Sequence, residues 1–248
     1  MTLPNDDIVQ FLDGRFVLSH RNIEKDAHVG MSHGYKPTQS AVGTTNGAGP
    51  RNVQFLVLAH DETVLHAMPG FWHADDLIKE LTLGLEIHRL YGDKSVGAAR
   101  KEQMFGMLHR SFLRRHEDEL ERRGQWQSFD RWHEIERLKR EPRDTFVQTR
   151  SGDYELKSVV QVIHDRMVAR PFRKLDAFGL EQFVDYGRPF YDNNHSDRGK
   201  KFSRAERANR KREVAQAKER EERARADAEA ERERQRLERL ERRRGRTR

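Results

Sequence analysis

Residues 199–248 constrain this chain most, because they cannot build a core. They carry 20 Lys and Arg against 11 Asp and Glu, and apart from alanine their apolar residues are Phe202, Val214, Leu237 and Leu240. Those four fit no sustained heptad, so nothing in the segment supports a coiled coil. Arginine, glutamate, alanine and glutamine are good helix formers. Pairs at i,i+4 such as Glu206–Arg210 and Glu238–Arg242 would each add roughly 0.2–0.5 kcal/mol. The composition predicts a long, charged, solvated C-terminal helix or a disordered tail, so the folded body must come from residues 1–198.

The net charge of +7 belongs to that tail, since the body holds 28 basic against 30 acidic residues. The body therefore offers no electrostatic reason to bind nucleic acid. The absence of cysteine excludes disulfides, thiolate zinc sites and thiol nucleophiles. The longest apolar runs are too short to span a bilayer. The opening MTLPNDDIVQFLDG is acidic and lacks the apolar stretch of a signal peptide. These features predict a cytoplasmic protein with no membrane contact.

Along the body, Asn5 is placed to cap a short helix through Leu12, with Asp6 and Asp7 at its positive end and Gly14 as its stop. Phe16–Ile23 reads as a strand, and residues 24–52 as a long loop rich in Gly, Thr and Asn. Val53–Ala59 is a nearly continuous apolar run, the pattern of a strand buried on both faces. His60-Asp61-Glu62 turns the chain, and Thr63–Met68 returns it as a hairpin partner ended by Pro69-Gly70. A helix follows from about Ala74 to Tyr91, with Leu77, Ile78, Leu81 and Leu85 on one face.

The segments FVLSHRNI, VQFLVLAHDETVLHAM and PGFWHADDLIKEL, in that order, resemble the later three-quarters of a thioredoxin-like domain. They would supply its second strand, its terminal hairpin and its closing glycine and helix. The resemblance covers residues 1–91. It implies an α/β fold and a partner-contact surface on the loop before the hairpin, at Asn46, Gly47, Gly49, Pro50, Arg51 and Asn52. The chain departs from the family at both redox elements. It has no Cys-x-x-Cys, and Asn52 stands where the family places a cis-proline, with Pro50 two residues earlier. Dithiol chemistry is not carried over.

Residues 92–198 read as a mainly helical extension packed on that domain. Met104, Phe105, Leu108 and Phe112 form one apolar stripe, and Trp126, Phe129, Trp132 and Ile135 a second, with the polar run 116–123 between them. A helix is predicted from about Tyr154 to Ala169, with Val159, Val160, Ile163 and Met167 inward and Pro171 ending it. The aromatic segment FGLEQFVDYGRPFY reads as an irregular strap burying Phe183, Tyr186, Phe190 and Tyr191.

No constellation stands out as catalytic. The chain has twelve histidines; His20, His28 and His33 lie toward the N-terminus, and His60, His66 and His73 surround the hairpin. None forms HExxH, and scattered or core histidines are the simpler reading, so no metal or cofactor is expected. GTTNGAGPRN lacks the order of a phosphate loop and leads into a strand. Asp75 and Asp76 suit a helix start, 117–119 is a solvated acidic patch, and Trp126 and Trp132 read as packing residues.

Three functions follow as expectations. The first is a redox-inactive, thioredoxin-like protein-binding or scaffold module. The second is a nucleic-acid- or ribosome-associated protein acting through Arg239, Arg242, Arg243, Arg244, Arg246 and Arg248. The third is a thioredoxin-family oxidoreductase whose catalytic segment lies upstream of Met1. The second has a direct check. An RNA titration of the full chain at two salt concentrations should show affinity falling steeply with salt and lost on deleting residues 199–248; no binding at low salt removes this role.

Overall fold

A computed structural model describes residues 5–23, 26, 43–48, 53–141 and 143–187, and the phrase "described residues" below refers to these. All of them belong to one unit of the chain, 1–34 with 43–194. The charged helix read from residues 199–248 and the aromatics Phe190 and Tyr191 lie outside them. The fold is mixed α/β: seven α-helices and two separate two-stranded antiparallel sheets among the described residues. No helix there is long and apolar enough to cross a membrane.

The first helix, α1 (Asp6–Leu12), forms as its cap predicts, with the Asn5 carboxamide accepting from the Asp7 and Ile8 amides and Ile8 fully buried. The strand expected at Phe16–Ile23 is absent. Those residues have no regular structure, and Val17 and Leu18 are exposed. Strand propensity describes a side chain that fits a pleated, half-buried surface. Among the described residues no neighbouring strand supplies that surface.

The central hairpin pairs β1 (Gln54–Leu58) with β2 (Val64–Pro69), Gln54 opposite Pro69 and Val57 opposite His66, with a bulge after Val57. The burial is the reverse of the sequence expectation. Every residue of β2 is buried, whereas only Val57 is buried in β1. β2 packs on both α2 (Ala74–Gly92) and α6 (Val159–Val168), while β1 has β2 as its strand partner on one side and leaves Val53 and Leu58 exposed. Gly70 is required at the end of β2. Its φ is +77°, and a Cβ there would sit 2.6 Å from the Ala48 carbonyl oxygen and 2.8 Å from that of Gly47.

Helix α2 runs as predicted and buries Leu77, Leu81, Gly84 and Ile87. α3 (Ala98–Arg115) crosses α2 and α6 and buries Phe105 and Phe112; α4 (Glu117–Arg123) follows. The helix predicted from 154 instead starts at α6. A second hairpin, β3 (Phe146–Gln148) with β4 (Tyr154–Leu156), takes up the preceding residues. Ser158 sets the start of α6 by accepting from the Gln161 amide. The predicted inward face of Val159, Val160, Ile163 and Met167 is buried.

In α5 (Ser128–Leu138) the aromatic stripe does not turn inward as a unit. Trp126, just before it, packs edge-on to Tyr186, but Trp132 and Ile135 are exposed. The buried face carries Asp130 and Glu134. Glu134 accepts from the Thr145 hydroxyl at 2.6 Å and the Gly187 amide at 2.8 Å. Beyond the 3₁₀ turn Leu175–Ala177 and the short α7 (Leu180–Phe183), the returning chain is held by arginines. Arg166 binds Asp144 through two 2.7 Å bonds and donates to the Phe183 carbonyl, while Arg137 and Arg143 grip Asp185.

Burial pushes the Asp144 and Asp185 carboxyls up, but Arg166 beside the first and Arg143 and Arg137 beside the second hold both below the ordinary range. A depressed carboxylate contributes stability above its unfolded value, about 3.9, and loses that contribution as pH falls through the folded one. Acid should therefore weaken this knot. Between pH 6 and pH 3 the urea midpoint of Asp144→Asn should fall less than that of the wild type; equal falls would show that Asp144 carries none of the acid sensitivity.

Candidate metal centre

Four elements each bring one ionisable side chain to the same buried point. β2 supplies His66, opposite Val57 in the hairpin. α2 supplies Glu80, on the face that also carries Leu77, Leu81 and Gly84. α3 supplies His109, between Phe105 and Phe112 at helical spacing, and α6 supplies His164, between Val160 and Met167. All three imidazoles are fully buried and Glu80 is 2% exposed.

The carboxylate sits in the middle. Glu80 Oε2 is 2.7 Å from His66 Nε2, and Oε1 is 3.2 Å from His164 Nε2. His109 Nδ1 lies 3.0 Å from His164 Nδ1, and Phe112 stacks on the His164 ring with centroids 4.9 Å apart. His66 Nδ1 and His109 Nε2 have no hydrogen-bond partner. Core polar atoms are normally paired, so two orphaned nitrogens in one cluster require an explanation.

Electrostatics bear on the same point. Burial pushes the Glu80 carboxyl up, yet the flanking His164 and His66 reverse this and bring it to about 2. Burial pushes His66 down, and it pushes His109 well down, with His164 and His66 adding repulsion. The cluster is thus an ionised buried carboxylate in a group where burial drives His66 and His109 toward the neutral form. The ion-pair partners of Glu80 among the described residues are His66 and His164, with no Lys or Arg beside it. Neutral imidazole is also the form that ligates metals.

His66, Glu80 and His164 offer one ligand atom each, all within 4.8 Å of one another. Ligands about 2.0–2.1 Å from a tetrahedral zinc stand roughly 3.3 Å apart; His66 and His164 contact different oxygens of Glu80, at 2.7 and 3.2 Å, so the His66–Glu80 pair would open by roughly 0.6 Å around an ion. His109 stands behind His164, where it fixes that ring through the 3.0 Å contact. No protein-family model, curated protein or solved structure matches the chain. The centre therefore rests on its geometry alone.

The residues singled out from sequence fall elsewhere. Asn46 is buried, donating to Asp76 at 2.8 Å and accepting from the His73 amide at 2.9 Å. Gly47 is buried under Val159 and Ile163, and its carbonyl accepts from the Tyr186 hydroxyl at 2.8 Å. In this unit both face the chain's own interior. Gly49, Pro50, Arg51, Asn52, Arg239, Arg242, Arg243, Arg244, Arg246 and Arg248 lie outside the described residues, as do His28 and His33. His20 and His60 are exposed, and His73 Nε2 lies 2.7 Å from the Thr44 carbonyl oxygen.

Of the hairpin histidines only His66 joins the centre, and sequence reading overlooked Glu80, His109 and His164. A signal existed. Each of the three occupies an apolar-face position of a helix where a Leu or Phe would be expected. That marks a polar side chain forced inward, but says nothing of which others it meets.

Proposed function

We propose that this chain is a metalloprotein that holds one divalent first-row transition ion through His66, Glu80 and His164. The observation that carries this is the convergence of His66, Glu80 and His164, from three separate elements, on one buried point, with one ligand atom of each within 4.8 Å of the others. Two neutral imidazoles and a carboxylate suit zinc, iron, cobalt or manganese; imidazole disfavours magnesium and calcium, which take oxygen ligands. Binding displaces the protons that His66 and His164 share with Glu80, so affinity rises with pH.

Metal analysis of the full chain after dialysis against zinc or cobalt should give one equivalent. His66→Ala and His164→Ala should each lose it. His109→Phe should retain one site with affinity weakened roughly 10–100-fold, because it removes only the group that orients His164. A stoichiometry near zero for the folded wild type removes the proposal.

A second reading keeps the thioredoxin-like resemblance, with the domain as a redox-inactive protein-contact module. It is supported by the antiparallel hairpin, the glycine at 70 with positive φ and the α2 helix packed on β2, in the order the family would require. With Asn46 and Gly47 buried, the exposed side of β1 is the surface left for contact. A photo-cross-linker at Leu58 in the full chain should concentrate adducts on one protein in cells; the same background as a linker at an exposed α3 position, such as Met107, would remove this role.

A further inference from the structure

A small cavity adjoins the candidate centre and reaches from Glu80 toward the surface. Its inner wall is Glu80, Phe112 and Val160, all buried, with Phe112 also stacked on His164. Its outer wall carries Asp76, Lys79, His116 and Glu119. Its volume is about 20 Å³, enough for one water, which needs roughly 10–15 Å³. Of the three proposed ligands, Glu80 lines this cavity and the two imidazoles do not.

The outer wall is closed by an ion-pair bridge. Lys79 Nζ on α2 lies 2.9 Å from Glu119 on α4 and 3.5 Å from Asp76, and His116 Nδ1 stands 3.7 Å from Glu119. Lys79 and Glu119 are each 30% exposed. Exposed pairs of this kind contribute little to stability and rearrange readily.

Three protein donors do not complete a metal's coordination. A structural zinc site takes four protein ligands; a site with three keeps a position for water or a small solute. The donor atoms of His109 are not among the three that cluster, and the ring packs against Phe105 and behind His164. On the metal-binding reading just proposed, we infer that the ion keeps one exchangeable position facing this cavity, which takes water or a small monodentate anion. The cavity holds one water, so any larger ligand, azide included, enters only as the Lys79–Glu119 bridge opens.

The test uses the full chain loaded with cobalt(II), whose visible spectrum reports its ligands, titrated with azide. The expected result is a saturable spectral change with one azide per cobalt. Val160→Ile adds a methylene to the inner wall and should weaken azide at least tenfold, with cobalt stoichiometry read from the same spectra. Lys79→Met removes the bridge and should speed azide association several-fold. Cobalt bound without any azide response in either the wild type or Lys79→Met would overturn the open position and leave the metal site standing. No cobalt bound would overturn both. Azide binding that is equal in the wild type and Val160→Ile would put the exchangeable position elsewhere and overturn the assignment to this cavity.

Discussion

The Glu80 carboxylate, fully inside the protein and shared between His66 and His164, is the contact on which the rest of the body turns. It ties β2 to α2 and α6 at one point, and His109 adds α3 through His164. The apolar core surrounds the same place: Phe105 and Phe112 pack on the imidazoles, while Leu77, Leu81 and Met167 lie in the same buried cluster. A buried charge is tolerated only when its partners are held in good geometry. The four elements can therefore shift little against one another without exposing it.

A second set of polar contacts does the corresponding work at the end of the described chain. Arg166 crosses from α6 to Asp144 and to the carbonyls of 183 and 185, and Glu134 receives the Gly187 amide. Tyr186 then reaches the Gly47 carbonyl, so the loop before the hairpin and the strap after α7 hold each other. These contacts explain why α5 buries a carboxylate face and leaves Trp132 outside. Backbone amides and carbonyls of an irregular strap need polar partners, and the Glu134 carboxylate supplies one for the Gly187 amide.

Much of the local structure is legible in single stretches of sequence. The Asn5 cap, the hairpin around His60–Glu62, the stop at Gly70 and the apolar face of α2 each follow from turn chemistry or periodicity. Other elements are not. Residues 16–23 have strand propensity but no strand to pair with among the described residues, and Tyr154–Leu156 belong to a hairpin although they adjoin a helical pattern. Which strand of the central hairpin is the buried one also escapes the sequence. Val53–Ala59 is the more apolar run, but β2, with a histidine at its centre, is the strand enclosed on both sides.

What the sequence by itself determined is a division of labour: a charged C-terminal segment without core-forming residues, a body without thiol chemistry, and a hairpin followed by a helix. What only the tertiary structure decided is the centre. His66, Glu80, His109 and His164 are spread over 99 positions and share no motif. Each looks locally like one polar residue on an otherwise apolar strand or face. Their meeting depends on how α2, α3 and α6 pack around β2, and that packing is set by the fit of side chains from all four elements at once.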